Sequence, residues 1–130
     1  MSGSVIGEHG DSMTICAQAT TVAGQPAAVP LDEVRCALAR RSPAIARMLG
    51  RTRFGPSGAV LSTLRKCLGI DDGMEELASP YGGGFLGVRL RFSSGLGIPC
   101  LPPLSPSEAR QFNASDTKLQ EIYQRLWRQL

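Results

Sequence analysis

The first chemically suggestive residues lie near the start of the chain, in Val5-Ile6-Gly7-Glu8-His9-Gly10-Asp11-Ser12-Met13. His9 is the only histidine of the sequence. An imidazole titrates near pH ~6.5, so it can accept or return a proton under cellular conditions. Glu8 and Asp11 flank it, and a carboxylate partner would fix its tautomer and stabilise its charged form. Gly10 leaves room for a bulky substrate to approach the ring. A single histidine in a turn is most often a plain surface residue, and spacing by itself does not decide between these readings.

The other reactive side chains point to less. Cys16, Cys36, Cys67 and Cys100 form no C-x-x-C pair, and one histidine is too few to complete a zinc site with them, so no metal is expected. Cys36 and Cys67 fall in apolar runs and are expected to be free, buried thiols, in keeping with a reducing compartment. Twelve of the fourteen basic residues are arginine, and six of these lie between Arg35 and Arg53. Such a stretch suits a solvated helix face or an anion subsite. With aromatics at 5% and no nucleic-acid motif, charge alone favours nucleic-acid binding only weakly.

The elements that must position His9 can be read from patterning. Val5–Gly10 reads as a strand running into a turn, and 13–22 as a second strand followed by a turn at Gly24-Gln25-Pro26. A helix is expected from about Asp32, with Leu31, Val34, Ala37 and Leu38 at helical spacing. Pro43 should interrupt it, with Ser42 capping a restart that runs to Gly50. A glycine-rich connection, 50–58, then leads to a helix capped by Ser57 and ended by Gly69. A short strand is expected within 74–79. Phe85–Phe92 is the clearest strand, with Leu86, Val88, Leu90 and Phe92 on one face. Ser105-Pro106-Ser107-Glu108 is a capping box, opening a terminal amphipathic helix of about 25 residues that carries Ala109, Phe112, Leu119, Ile122, Tyr123, Leu126 and Leu130. The expected fold class is α+β: a twisted, mostly antiparallel sheet packed with helices and ending in a long C-terminal helix.

The order of these segments resembles the lactate/malate dehydrogenase family. VIGEHGDSM looks like that family's signature around its catalytic acid/base histidine. Gly50-Arg51-Thr52-Arg53-Phe54-Gly55 resembles its G-x-T-x-aromatic-G segment, whose threonine lines the substrate pocket. Tyr81-Gly82 running into Phe85-Leu86-Gly87-Val88 resembles its Tyr-Gly turn and core strand, and Leu104–Glu108 with the following helix resembles its C-terminal helix. The resemblance covers nearly all of residues 1–130, as one partial substrate-binding, C-terminal domain. It implies that His9 takes the hydroxyl proton of a 2-hydroxy acid, or returns it to the 2-oxo acid, while hydride passes to or from NAD. It implies that Thr52 sits near the substrate, and that Asp11 and Ser12 hold the turn.

Departures from the family pattern qualify this expectation. Its dinucleotide-binding Rossmann half, with G-x-G-x-x-G, is not in the sequence; Gly82–Gly84 run into a strand and do not open a helix. The family's D-x-x-R motif, whose Asp orients the imidazole and whose Arg clamps the substrate carboxylate, lies upstream of the histidine, and only eight residues precede His9 here. Asp32-Glu33-Val34-Arg35 has that spacing but falls downstream on a helix, and reads as first-turn acids and a surface arginine. The family's mobile-loop arginine is missing as well. Each 1.36 kcal/mol of transition-state stabilisation is about tenfold in rate. Without clamp, orienting carboxylate and cofactor, NAD binding and useful turnover are not expected of this chain alone.

Composition bounds the remaining possibilities. The 130 residues (13.8 kDa, net charge +3) have room for one ordinary domain, and 42% hydrophobic with 19% charged residues argues against disorder. Mean hydropathy is −0.03, and no apolar run approaches a membrane span. Met1–Ser12 lacks the basic and apolar regions of a signal peptide, so a cytoplasmic chain is expected. The partners expected are a 2-hydroxy or 2-oxo acid and either a second copy or a complementary N-terminal half, without nucleic acid or membrane. The alternative is a non-catalytic or degenerate interaction module that self-associates or binds a partner.

Overall fold

The computed structural model describes residues 2–50 and 54–129. In chain order they form β1 (Val5–Ile6), β2 (Thr14–Ile15), β3 (Thr21–Val22), β4 (Gln25–Pro26), α1 (Leu31–Leu49), α2 (Phe54–Cys67), β5 (Gly73–Tyr81), β6 (Gly84–Ser93), β7 (Leu96–Pro99) and α3 (Pro106–Trp127). The strands pair as β1-β2, β3-β4 and β5-β6-β7. The class is α+β, with the expected antiparallel pairing divided among three small sheets. The residues group into two compact units.

The first unit comprises residues 1–29, 76–89 and 100–130. Its core holds Ile6, Ile15, Cys16, Leu86, Val88 and Phe112, all buried. Removing a large aliphatic or aromatic side chain of this kind from water contributes about 1.5–3 kcal/mol. The alternation expected of β6 is realised: Leu86 and Val88 face inward, while Gly87 between them and Arg89 after them are half-buried. Gly82 and Gly83 turn the chain from β5 into β6 with φ of 59° and 93°, the paired positive values that a two-residue hairpin turn requires.

Across the core, α3 packs against β2. Its capping box forms as the sequence predicts: the Glu108 N–H donates to Ser105 Oγ at 3.3 Å, and the Ser105 N–H donates to the Glu108 carboxylate at 2.6 Å. The single strand expected over 13–22 is instead two short ones. Thr20 turns its hydroxyl onto the carbonyl of Cys16 at 2.9 Å, and the Thr20 N–H bonds the carbonyl of Ala17 at 3.0 Å, so this stretch closes a turn in place of a ladder. The next turn falls at residues 23–24, and Gln25-Pro26 is strand.

The second unit comprises residues 30–75 and 90–99. Leu90 and Phe92 are its buried apolar residues, and α2 packs against β7. Asp32 and Glu33 occupy the first turn of α1, as expected. Pro43 does not interrupt this helix, which runs unbroken from Leu31 to Leu49. Ala39, whose carbonyl loses its usual N–H partner to the proline ring, is exposed, so water can take that hydrogen bond. Ser57 is not a cap either: α2 has begun by Phe54. The stop at Gly69 is realised, by paired bonds from Gly69 N–H to the Lys66 carbonyl and from Ile70 N–H to that of Arg65. The thiol expectation is corrected: Cys36 and Cys67 are exposed, and the buried thiol is Cys16, which burial pushes up to about 11.

Candidate active site

His9 stands in the turn between β1 and β2, and its residue is exposed. The turn is fastened on three sides. Behind it, Gly7 and Gly87 exchange backbone hydrogen bonds of 2.7 and 3.1 Å, which ties the end of β1 to β6. Neither position has room for a side chain: a Cβ on Gly87 would stand 2.6 Å from the Gly7 carbonyl oxygen, and one on Gly7 would stand 2.8 Å from Ser115 Oγ. Below it, α3 supplies Ser115 Oγ to the Glu8 N–H at 2.6 Å and Gln111 Nε2 to the Met13 carbonyl at 3.1 Å. Inside it, the Glu8 carboxylate accepts from the N–H of Ser12 at 3.2 Å and from the Ser12 hydroxyl.

Lys118 closes this arrangement. Its ammonium lies 2.8 and 2.7 Å from the two Glu8 oxygens. The contact with Lys118, helped by the Ser12 hydroxyl, holds the Glu8 carboxyl below the usual carboxylate range despite partial burial. The carboxylate next to His9 in sequence is therefore turned to Lys118 and Ser12. Among the described residues none makes a hydrogen bond or ion pair with the His9 ring, which is thereby presented outward. Ser12, expected to hold the turn, has that role in the geometry, including a 3.2 Å contact with Ser115 Oγ.

At the start of α3, Glu108 links its capping box to the segment after β2. Burial raises its carboxyl, but the N–H groups of Ser105 and Gln18 outweigh this and bring it below the ordinary range. Thr52 lies outside the described residues. A hollow of ≈ 460 Å³ opens elsewhere, lined by Pro80–Phe85 and Tyr123, away from the histidine turn. Among the described residues no group of His, Cys, Asp and Glu is arranged to hold a metal ion, and no helix is long and apolar enough to cross a membrane.

Sequence reasoning missed Gln111, Ser115 and Lys118. A signal was there. The apolar stripe of α3 runs through Phe112 and Leu119, and the position that helical spacing places between them is Ser115, a polar residue with no exposed surface. A small hydroxyl residue at a core position marks a close approach of backbone, here that of Gly7 and Glu8.

Comparison with known proteins agrees with this architecture. Malate dehydrogenase from Plasmodium falciparum superposes with a TM-score of 0.81 at 19% identity, over 94% of this chain and 45% of that one. Malate dehydrogenase from Archaeoglobus fulgidus, in complex with NADH, gives 0.80 at 22% identity, over 96% and 44%. Minor L-lactate dehydrogenase from Enterococcus mundtii gives 0.81 at 19%, over 93% and 44%. In sequence, the chain is 32% identical over 92 residues to L-2-hydroxycarboxylate dehydrogenase (NAD(P)(+)) from Methanocaldococcus jannaschii, a match covering 65% of this chain and 29% of the relative.

The chain has the fold of malate and lactate dehydrogenases. It spans less than half the length of the dehydrogenase structures it matches. No protein-family model matches the sequence. An exposed histidine on a turn fastened by two glycines and a helix is open to a small molecule from solvent.

Proposed function

We propose that this chain is the proton-transfer, substrate-binding portion of an NAD-dependent L-2-hydroxy acid dehydrogenase. The observation that carries the reading is the outward, anchored His9 in a chain of dehydrogenase C-terminal fold. In this reading the imidazole takes the hydroxyl proton as a 2-hydroxy acid is oxidised, and returns it as the 2-oxo acid is reduced. Thr52 lines the substrate pocket. The substrate carboxylate is held by an arginine from outside these residues.

The cofactor does not fit the described residues. A dinucleotide's pyrophosphate is held where a glycine turn leads from a strand into a helix N-terminus. Gly82–Gly84 instead join strand to strand, in the turn of a hairpin. The hydride acceptor is therefore assigned to a nucleotide-binding portion beyond this domain, and His9 handles only the proton. The test is to supply the nucleotide-binding half of a 2-hydroxy acid dehydrogenase and follow NADH with malate and with lactate. Turnover that needs both pieces is the expected result. Lack of turnover from a stable, mixed complex would count against the assignment.

A second reading, an interaction module, is favoured by one observation. Met48, Leu68, Phe85, Leu96 and Trp127 are each more than 60% exposed, apolar surface that a partner could cover. This reading expects association with a second copy or a complementary half. Light scattering over a range of concentrations distinguishes it, since a monodisperse monomer at high concentration would exclude self-association.

A further inference from the structure

The turn that carries His9 is held from several sides. Its own backbone contributes the bond from Met13 N–H to the Gly10 carbonyl, at 3.2 Å. Further support comes from the Gly7–Gly87 clip, from Glu8 and from one face of α3. Gln111, Ser115 and Lys118 stand four and three residues apart, so all three project from that face toward the turn. Ser115 fixes the residue before the ring through its N–H, and Lys118 fixes the carboxylate around which the turn folds back to Ser12. Gly10 makes space for this, since a Cβ there would lie 3.2 Å from that carboxylate.

We propose that Lys118 and Ser115 are positioning residues for the His9 ring: α3 holds the turn in one conformation through Glu8 and so sets where the proton-transferring group points. The inference deepens the dehydrogenase reading and rests on it for its functional meaning. Magnitude separates local from global effects. The Lys118 side chain is 45% exposed, and pairs so exposed add little to overall stability. The contact is nonetheless charge-assisted and double, and it closes on the turn itself, so its effect should fall on the order of the turn.

His9 being the only histidine, its ring signals in NMR spectra are unambiguous. In the intact chain, Lys118→Met is expected to lower the hydrogen-exchange protection of the Glu8 amide about three- to tenfold, the scale of one lost charge-assisted contact. It should also loosen the ring, read as a fall in its carbon order parameter, while the methyl signals of Leu86 and Val88 stay in place. Lys118→Arg, which keeps charge and donors, should restore both. Ser115→Ala removes the acceptor of the Glu8 N–H and should lower the same protection without touching the ion pair. Unchanged ring order and protection in both Lys118→Met and Ser115→Ala would overturn the proposal, as would equal loss in the methionine and arginine variants. These readouts need neither substrate nor nucleotide. A chain that never turns over therefore defeats the dehydrogenase reading and leaves the positioning result standing.

Discussion

A proton-transfer group that faces solvent gains nothing from burial, so its usefulness depends on how firmly its backbone is held. In the proposed reading these two tasks fall to neighbouring residues: Glu8 is bonded to the fold, and His9 is left outward. Replacing His9 by Asn should therefore leave thermal unfolding unchanged. In the assembly with a nucleotide-binding half, it should lower kcat/KM by about 10²–10⁴, the usual contribution of a positioned acid/base. Steady-state kinetics with malate and lactate check both the size of the effect and the choice of substrate. Gly87 is the opposite case, since it does no chemistry and has no space. Gly87→Ala would push a methyl group to 2.6 Å from the Gly7 carbonyl oxygen and should destabilise the chain by about 1–3 kcal/mol, read from a denaturant curve.

Elements whose signals are local were legible in the sequence. The capping box, the proline at the first helical position and the apolar spacing place α3 at Pro106–Trp127, close to the 25 residues expected, and β6 announced itself by strict alternation. Ser105→Ala removes one side of that box and should cost about 1 kcal/mol in thermal or urea unfolding. Misreadings arose where the deciding contact is distant in the chain or where solvent excuses a local cost. Pro43 penalises a helix, yet α1 continues through it on an exposed face. Thr20 looked like strand because it is β-branched, but its hydroxyl is committed to Cys16. The histidine was visible as a chemical group from its neighbours in sequence. Its mounting was not, because Ser115 and Lys118 lie more than a hundred residues away and neither is unusual for a helix.

In both compact units carboxylates tie separate elements together. In the first, Glu8 joins the histidine turn to α3 and Glu108 joins α3 to the segment after β2. In the second, Glu75 joins β5 to α2 through Lys66 at 2.8 Å and through Ser62. Each carboxyl is held below its ordinary range: Glu8 first by Lys118, Glu75 first by Lys66, and Glu108 by backbone N–H groups that outweigh its burial. A carboxyl with a lower pKa folded than unfolded makes the unfolded chain bind more protons between the two values. Stability from these groups is thus complete above the ordinary carboxylate range and falls as pH drops through the lowered values, from 4.5 downward. Urea midpoints should be flat near neutrality and decline across that acid window. Glu75→Gln isolates one contribution, because the Lys66 and Glu75 side chains are only 12% and 19% exposed. The variant should lose about 1–3 kcal/mol at neutral pH, the range for a hydrogen bond to a charged group, and much less at low pH, where the native carboxyl is itself neutral. A Glu75→Gln curve that ran parallel to the parent from neutral to acid pH would show that this pair does not contribute to acid sensitivity.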